Sequence, residues 1–255
     1  MMLAQERYEQ TLSILNREGS VKVSKLTKLF NVSIETIRRD LEYLEKEGLL
    51  KRVYGGAVLK KIDNNQLKFE NREKEFSSEK KEIANIATRY VIEGQSLAMD
   101  ASTTNLEIAK VLKTKFKKLT ILTNSLAIAN ELIDMDKYTI ILTGGILKND
   151  EFSLVGDMAQ KYIESFNIHT AFISVSGVSL KEGLTDYILD HLQIQKKFIE
   201  ISQNVIVLAD SSKFDSVSLL NVCNLEDINM IITDSKIKKN VLEKYLNNGI
   251  EVINI

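Results

Sequence analysis

From Glu79 onward the sequence alternates short apolar runs with longer amphipathic stretches, and this alternation constrains the fold more than any other feature. The apolar runs are Ser96–Met99, Leu119–Leu122, Tyr138–Leu142, Ala171–Val175, Val205–Leu208, Met230–Ile232 and Glu251–Ile253. The stretches 103–113, 125–135, 156–166, 190–202 and 236–248 lie between them, and a helix over 79–92 that buries Ile83, Ile86, Ala87 and Tyr90 precedes the series. Strands alternating with helices imply βαβ units and a mainly parallel sheet. The runs are nearly continuous in apolar character, which predicts a sheet covered on both faces.

The residues just after each run carry the chemistry. Asp100 comes after the first, Thr123-Asn124-Ser125 after the second, Thr143-Gly144-Gly145 after the third and Ser176-Gly177 after the fourth. Ala209-Asp210 and Thr233-Asp234 come after the fifth and sixth. Ligands of parallel α/β sheets bind outside the carboxyl ends of the strands, so these residues converge on one polar edge. Asp100-Ala101-Ser102-Thr103-Thr104-Asn105 runs from a strand end into a helix. Hydroxyls and unpaired N–H groups at a helix N-terminus suit a phosphate, although Ser102 or Thr103 can also serve as a simple cap. Lys213, in Asp210-Ser211-Ser212-Lys213-Phe214, can pair with a phosphate or sugar hydroxyl or lie solvated on the surface.

The first sixty residues have a different texture. Tyr8, Leu12 and Leu15 mark a helix over 4–18, and Val21-Lys22-Val23 is a connector or stub strand. Ser24 is placed to cap a second helix, Lys25 to Phe30, burying Leu26, Leu29 and Phe30. After a turn at Asn31-Val32, Ser33 caps a third helix from Ile34 to about Glu47, with Ile34, Ile37, Leu41 and Leu44 on one face. Leu49 to Tyr54 and Ala57 to Lys60 then flank Gly55-Gly56 as a β-hairpin. Three small helices and a basic hairpin form a winged helix-turn-helix pattern. In such a unit the second helix, which carries Lys25, braces on the DNA backbone, and the third enters the major groove. That assigns Ser33, Thr36, Arg38 and Arg39 to the groove, and Lys51, Arg52, Tyr54 and Gly55 to a wing on phosphate or minor groove. An arginine can bond guanine bidentately or pair with phosphate, and spacing alone does not separate the two. Taken by itself, the Arg38-Arg39 pair also fits an ordinary solvated face paired with Glu35 or Glu42.

Composition bounds the rest. The chain has 255 residues, 44% apolar and 27% charged, enough for a large core and unlike a disordered protein. The net charge of -1 hides an asymmetry: residues 1–60 carry 11 Lys/Arg against 8 Asp/Glu, and 61–255 carry 23 against 27. There is no proline, which excludes collagen-like and proline-rich segments. The single cysteine, Cys223, cannot form an internal disulfide and reads as a small hydrophobe. No apolar run approaches the ~18 residues that span a bilayer, and Met1 to Arg7 lack a signal-peptide core, so a cytoplasmic setting without membrane contact is expected. His169 and His191 are the only histidines and lie far apart, so no metal site is expected and no cofactor is implied.

The expected organisation is a DNA-binding domain over 1–60, a polar linker over 61–78 and a sensor domain over 79–255. Val32-Ser33-Ile34-Glu35-Thr36-Ile37-Arg38-Arg39-Asp40-Leu41, Leu44-Glu45, Gly48, Arg52 and Gly55-Gly56-Ala57 follow the pattern V-S-x-x-T-I-R-R-D-L…L-E…G…R…G-G-A, and in this the chain resembles the DeoR family of bacterial transcriptional regulators. Asp100-x-Ser102-Thr103-Thr104, Thr123-Asn124-Ser125, Gly144-Gly145, Ser153…Gly156, Ser176-Gly177-Val178…Gly183-Leu184-Thr185-Asp186 and Asp210-Ser211-Ser212-Lys213-Phe214 are similar to its sensor domain. The resemblance implies a fold like the ribose-5-phosphate isomerases and a phosphorylated sugar as effector.

Two functions emerge as expectations. The first is a sequence-specific regulator, a repressor of a sugar-catabolic operon, acting as a homo-oligomer on double-stranded operator DNA and released by a sugar phosphate. The alternative is an aldose–ketose isomerase with an accessory DNA-binding module, for which Asp100, Asp186 and Asp210 are candidate bases.

Overall fold

A computed structural model describes residues 4–18, 20–46, 49–59 and 69–255. The chain divides into two units, 1–67 and 68–255.

In the first unit α1 (Ala4–Glu18), α2 (Val23–Phe30) and α3 (Ile34–Lys46) surround a small sheet of β1 (Ser20–Lys22), β2 (Leu50–Val53) and β3 (Gly56–Leu59), ordered β1-β3-β2. Leu15, Leu26, Phe30, Ile37, Leu41, Leu44, Leu50 and Ala57 form its core. Asn31 ends α2 in the left-handed region at φ 51°, the tight turn expected between the two helices. Three sequence expectations need correction. Leu29 and Ile34 are 54% and 55% exposed rather than buried. Both sit where the α2–α3 turn leaves the core, so helical spacing alone misassigns them. Ser24 is not the cap of α2: the helix begins one residue before it, and Ser24 only lends its carbonyl to Thr27 Oγ1 at 3.0 Å.

The two hairpin glycines have separate causes. Gly55 takes φ +80° at the turn. Gly56 already belongs to β3, and a Cβ there would lie 2.1 Å from the Val21 carbonyl oxygen. The close approach of β1 therefore excludes any side chain.

In the second unit α4 (Phe69–Lys74) and α5 (Ser77–Ala87) come first. Residues 69–74, within the stretch read as linker, are thus helical, and Phe69 is buried in the core of this unit; residues 61–68 lie outside the described residues. There follow β4 (Ser96–Met99), α6 (Thr103–Lys115), β5 (Thr120–Thr123), α7 (Leu126–Glu131) and β6 (Thr139–Leu142). A hairpin of β7 (Ile146–Lys148) and β8 (Ser153–Val155) leads to α8 (Asp157–Ile163) and β9 (Ile168–Ser174). Next are β10 (Gly177–Ser179), β11 (Gly183–Asp186), α9 (Leu189–Glu200), β12 (Ser202–Leu208), β13 (Leu220–Cys223), β14 (Met230–Ile232), α10 (Lys239–Leu246) and β15 (Val252–Ile253).

The seven expected apolar runs are the seven strands of one parallel sheet, ordered β15-β14-β12-β9-β4-β5-β6. Alternate residues of each strand feed opposite faces. Ala98, Leu122, Ala171, Ile173, Val205, Val207 and Ile231 join α8, α9 and α10 in one core. Leu97, Met99, Ile121, Phe172, Ile206, Leu208 and Ile232 join α5, α6 and α7 in the other. The sheet is covered on both faces, as the continuous runs predicted. The order reverses at one place: from β4 the chain builds outward through β5 and β6, then returns to β9 on the other side of β4. That reversal opens the ligand crevice of such sheets at the carboxyl ends of β4 and β9. The antiparallel sheet β10-β11-β13 and the β7–β8 hairpin were not foreseen, because strands of three or four residues between turns carry too little periodicity. No helix among the described residues is long and apolar enough to cross a membrane.

Candidate functional site

Two surfaces concentrate the expected functional residues. The first is the N-terminal turn of α3. Ser33 Oγ accepts from the Thr36 amide at 3.1 Å and lies 2.9 Å from Thr36 Oγ1, so both hydroxyls are held at the helix start. Arg38 and Arg39 are exposed on the following turn. Arg38 Nη1 reaches Glu35 at 3.8 Å, with both side chains about two-thirds exposed, a geometry worth little in water. Asp40, next to them in sequence, is buried: it accepts from Arg7 Nε at 2.7 Å and Nη2 at 2.9 Å. That bidentate pair ties α3 to α1 and, with the apolar face of α3, sets which way Arg38 and Arg39 point. Sequence reading missed Arg7 and Asp40, although a carboxylate at the helical spacing of Ile37, Leu41 and Leu44 was the available signal.

On the wing, Lys51 is exposed and Tyr54 fully so, at the hairpin tip. Lys25 is exposed on α2. Arg52 is committed elsewhere: its amide and Nε donate to the two oxygens of Glu45, at 2.8 and 2.6 Å. The motif residues Glu45 and Arg52 therefore lock the wing to the end of α3.

The second surface is the switch point. Asp100 directly follows β4 and is buried. It accepts from Asn105 Nδ2 at 2.7 Å, the Ser174 amide at the end of β9 at 3.0 Å and Gln195 Nε2 at 3.3 Å. Burial pushes this carboxyl up to about 6, against the lowering effect of its donors. Ser102 Oγ caps α6 through the Asn105 amide at 3.1 Å. Thr103 and Thr104 begin the helix, where first-turn N–H groups have no intrahelical acceptor. Gln195 Nε2 also meets the Ser174 carbonyl and Asp186 Oδ2, each at 2.9 Å, and Asp186 Oδ1 accepts from Ser176 Oγ at 2.9 Å. Asp100, Asn105, Asp186 and Gln195, all buried, and the half-buried Ser174 and Ser176 form one polar layer bridging β4, α6, β9, β11 and α9. Gln195 was not foreseen, yet a glutamine among Leu192, Ile194 and Phe198 on an amphipathic helix was its signature.

The neighbouring strand ends have mixed roles. Thr123 Oγ1 donates to the Met99 carbonyl at 2.6 Å and accepts from the Ser125 amide at 3.1 Å. Ser125 caps α7, and Asn124 Nδ2 donates to the Leu154 carbonyl at 3.1 Å. Gly177 has no room for a side chain, since a Cβ would lie 2.5 Å from Thr185 Oγ1. Gly144 and Gly145 follow the edge strand β6, separated from β9 by β4 and β5, and Gly145 lies against β8, where a Cβ would be 2.5 Å from the Val155 carbonyl oxygen. Those two glycines shape the hairpin rather than join the polar layer.

On the other side of the switch point, Asp210 accepts from the Ser212 amide at 3.0 Å, and Lys213 Nζ is 3.9 Å from Asp210 Oδ2. The Lys213 side chain is largely buried, with its ammonium 5.9 Å from the ring centre of Phe76. Asp234, after β14, accepts from the Ser211 amide at 2.6 Å. Five buried side-chain oxygen atoms among the described residues have no partner, and those of Asn105, Asn124, Gln195 and Thr233 belong to this edge or its polar layer. Buried polar atoms are rarely left unpaired, and four of these five lie at this edge or in its polar layer.

No three His, Cys, Asp or Glu side chains converge in metal-binding geometry among the described residues. His191 Nε2 instead meets Ser153 Oγ at 2.9 Å, and burial lowers its pKa. Burial pushes the Cys223 thiol up to about 12.

Comparison with known proteins assigns both units. Residues 7–63 match the DeoR-like helix-turn-helix domain and residues 75–235 the DeoR C-terminal sensor domain. An uncharacterized HTH-type transcriptional regulator of Bacillus subtilis, YulB, is 38% identical over 92% of this chain and 90% of its own. The HTH-type transcriptional regulator GolR of Listeria innocua is 34% identical over 97% of both chains. A putative aga operon transcriptional repressor of Escherichia coli is 32% identical over 97% of this chain and 93% of its own. Among solved structures, ribose 5 phosphate isomerase A of Neisseria gonorrhoeae is 17% identical over 54% of this chain and 53% of that one, with a TM-score of 0.40, too low to bear on function. With both of its units matched and relatives aligned over nearly its whole length, the chain belongs to the DeoR family of DNA-binding transcriptional regulators.

Proposed function

We propose that this regulator represses a sugar-catabolic operon and leaves its operator when a phosphorylated sugar binds at the carboxyl ends of β4 and β9. The observation that carries the reading is the buried polar layer around Asp100, with its unpaired acceptors beside the N-terminus of α6. A sugar brings hydroxyl donors for those acceptors, and its phosphate suits the α6 N-terminus and Lys213. Regulation of an operon is supported by the putative aga operon transcriptional repressor among the relatives, and the link to a sugar by the L-fucose operon activator of Haemophilus influenzae. A hundredfold loss of operator affinity requires roughly 2.7 kcal/mol of coupling between the two sites. The DNA-binding unit of a single chain offers only a small DNA-facing surface, so we infer a homo-oligomer that reads paired half-sites, working in the cytoplasm.

Gel-shift titration of the chain's own promoter region, with and without a panel of pentose and hexose phosphates, tests the proposal. One member of the panel is expected to weaken the complex at least tenfold. Failure to bind that promoter, or a complex indifferent to every sugar phosphate, would refute it.

The isomerase reading draws on one observation, the raised pKa of Asp100. Asp100 and Asp186, however, are already held by amide and hydroxyl donors, and a catalytic base must reach a carbon-bound proton. We infer that the sensor domain is not an enzyme, and a direct isomerisation assay on ribose 5-phosphate is expected to show no turnover.

A further inference from the structure

We propose that Ile34 is a base-reading residue of the DNA-binding unit, and that its partner in the operator is the methyl group of a thymine. The DNA-binding role of the family carries this inference, which does not depend on the sugar-phosphate reading above.

Ile34 opens α3, the helix that enters the major groove in a winged helix-turn-helix. It shares the helical spacing of Ile37, Leu41 and Leu44, yet those three are buried and Ile34 is 55% exposed. The core makes little use of its side chain, which stands at the leading end of the helix. The rest of that turn is engaged or different in kind. Ser33 Oγ accepts from the Thr36 amide and lies 2.9 Å from Thr36 Oγ1, so both hydroxyls serve the cap. Glu35 is exposed, but a carboxylate only accepts, which fits a base amino group.

The cap fixes the backbone under Ile34, and a β-branched side chain has one strongly preferred rotamer in a helix. Ile34 is therefore presented in a set direction, and docking it costs little further entropy. The apolar group that base edges offer in the major groove is the thymine methyl. Against it, Ile34 buries apolar surface on both partners. Against a G·C pair it would cover O6, N7 or N4 with no hydrogen-bond partner, which is costly. Arg38 is exposed four residues later on the same flank. Four residues advance about 6 Å along the helix, under two base-pair steps of about 3.4 Å. Ile34 and Arg38 thus face neighbouring base pairs.

The probe is the duplex that the unmodified full chain enriches from a random pool, with each thymine replaced in turn by uracil, which removes the methyl group alone. At one thymine position the replacement is expected to weaken binding about fourfold, the worth of one methyl taken out of water. Ile34→Ala is expected to bind the parent duplex several-fold more weakly and to stop distinguishing thymine from uracil there, and Ile34→Val to keep most of that discrimination. Leu29→Ala, equally exposed but on α2, is expected to keep it in full. Hydrogen exchange over 26–44 reports whether each variant is folded, and the uracil scan of the unmodified chain depends on no variant. A flat scan, or a folded Ile34→Ala that still discriminates, overturns the contact, as does loss of discrimination in Leu29→Ala alone. A chain that enriches no duplex overturns it together with sequence-specific binding, whereas a sugar-phosphate panel without effect leaves it standing.

Discussion

The two units of this chain place their functional side chains at opposite extremes of burial. In the DNA-binding unit, Arg38, Arg39, Lys51 and Tyr54 are exposed, and buried groups such as Asp40 and Leu44 serve to aim them. In the sensor unit, Asp100, Asn105 and Gln195, which form the proposed effector site, are themselves buried. A duplex presents a broad surface that must be met from outside. A small polar ligand is recognised by enclosure, where a missing hydrogen bond is costly. Mutations should therefore separate binding from stability in the first unit and mix them in the second.

The largest effect is expected at the buried ion pair. Asp40→Ala removes the carboxylate that the Arg7 guanidinium grips and should cost about 3–5 kcal/mol. Hydrogen exchange should show protection lost over 26–44 and retained over 97–122; retained protection in both would mean that the pair does not hold α3. Next is the pH response of Asp100. Its folded pKa, about 6, lies above the unfolded value, so the native state binds more protons between roughly pH 4 and 6. Stability contributed by this group is present below pH 4 and lost as pH rises to 6, by at most about 3 kcal/mol. Urea denaturation across that range should show the fall in the unmodified chain and a flatter profile in Asp100→Asn. A similar slope in both would place the titration elsewhere.

Smaller effects are expected on the DNA surface. Arg38→Ala and Arg39→Ala should each weaken operator binding by about 1–3 kcal/mol without lowering the melting temperature. The arginine on a base edge should relax specificity at one position, and one on phosphate should weaken all sequences evenly and reduce the salt slope by about one. Arg52→Ala should be milder for DNA, with its main loss in wing order, because the guanidinium is spent on Glu45. If Arg52→Ala matched Arg39→Ala in affinity with the wing intact, the division between aiming and reading residues would fail. The smallest effect is global: with three excess positive charges in residues 1–60, operator affinity should fall with salt, modestly per subunit.

Legibility followed the same divide. The α3 motif was readable because capping, helical spacing and a charged outer face are local. Leu29 and Ile34 were misread because periodicity reports a face of a helix but not where that face leaves the core. All seven strands of the parallel sheet were found, since a doubly covered strand writes its burial into every residue. The hairpin strands were not, being too short for a pattern. At the edge, Asp100 and Ser102 were visible as a strand end entering a helix. Gln195 was not, because what makes an amide residue special there is the element packed against it.

By itself the sequence determined the parallel sheet, the winged helix and the residues at each strand end, because those depend on hydrophobic period and local turn chemistry. The tertiary structure alone decided the strand order, and with it the reversal between β4 and β9. It brought Asp100, Ser174, Gln195 and Asp186 into one layer across up to 95 residues of chain. Nothing in a local pattern encodes which strands become neighbours; that is settled when both faces of the sheet are buried at once.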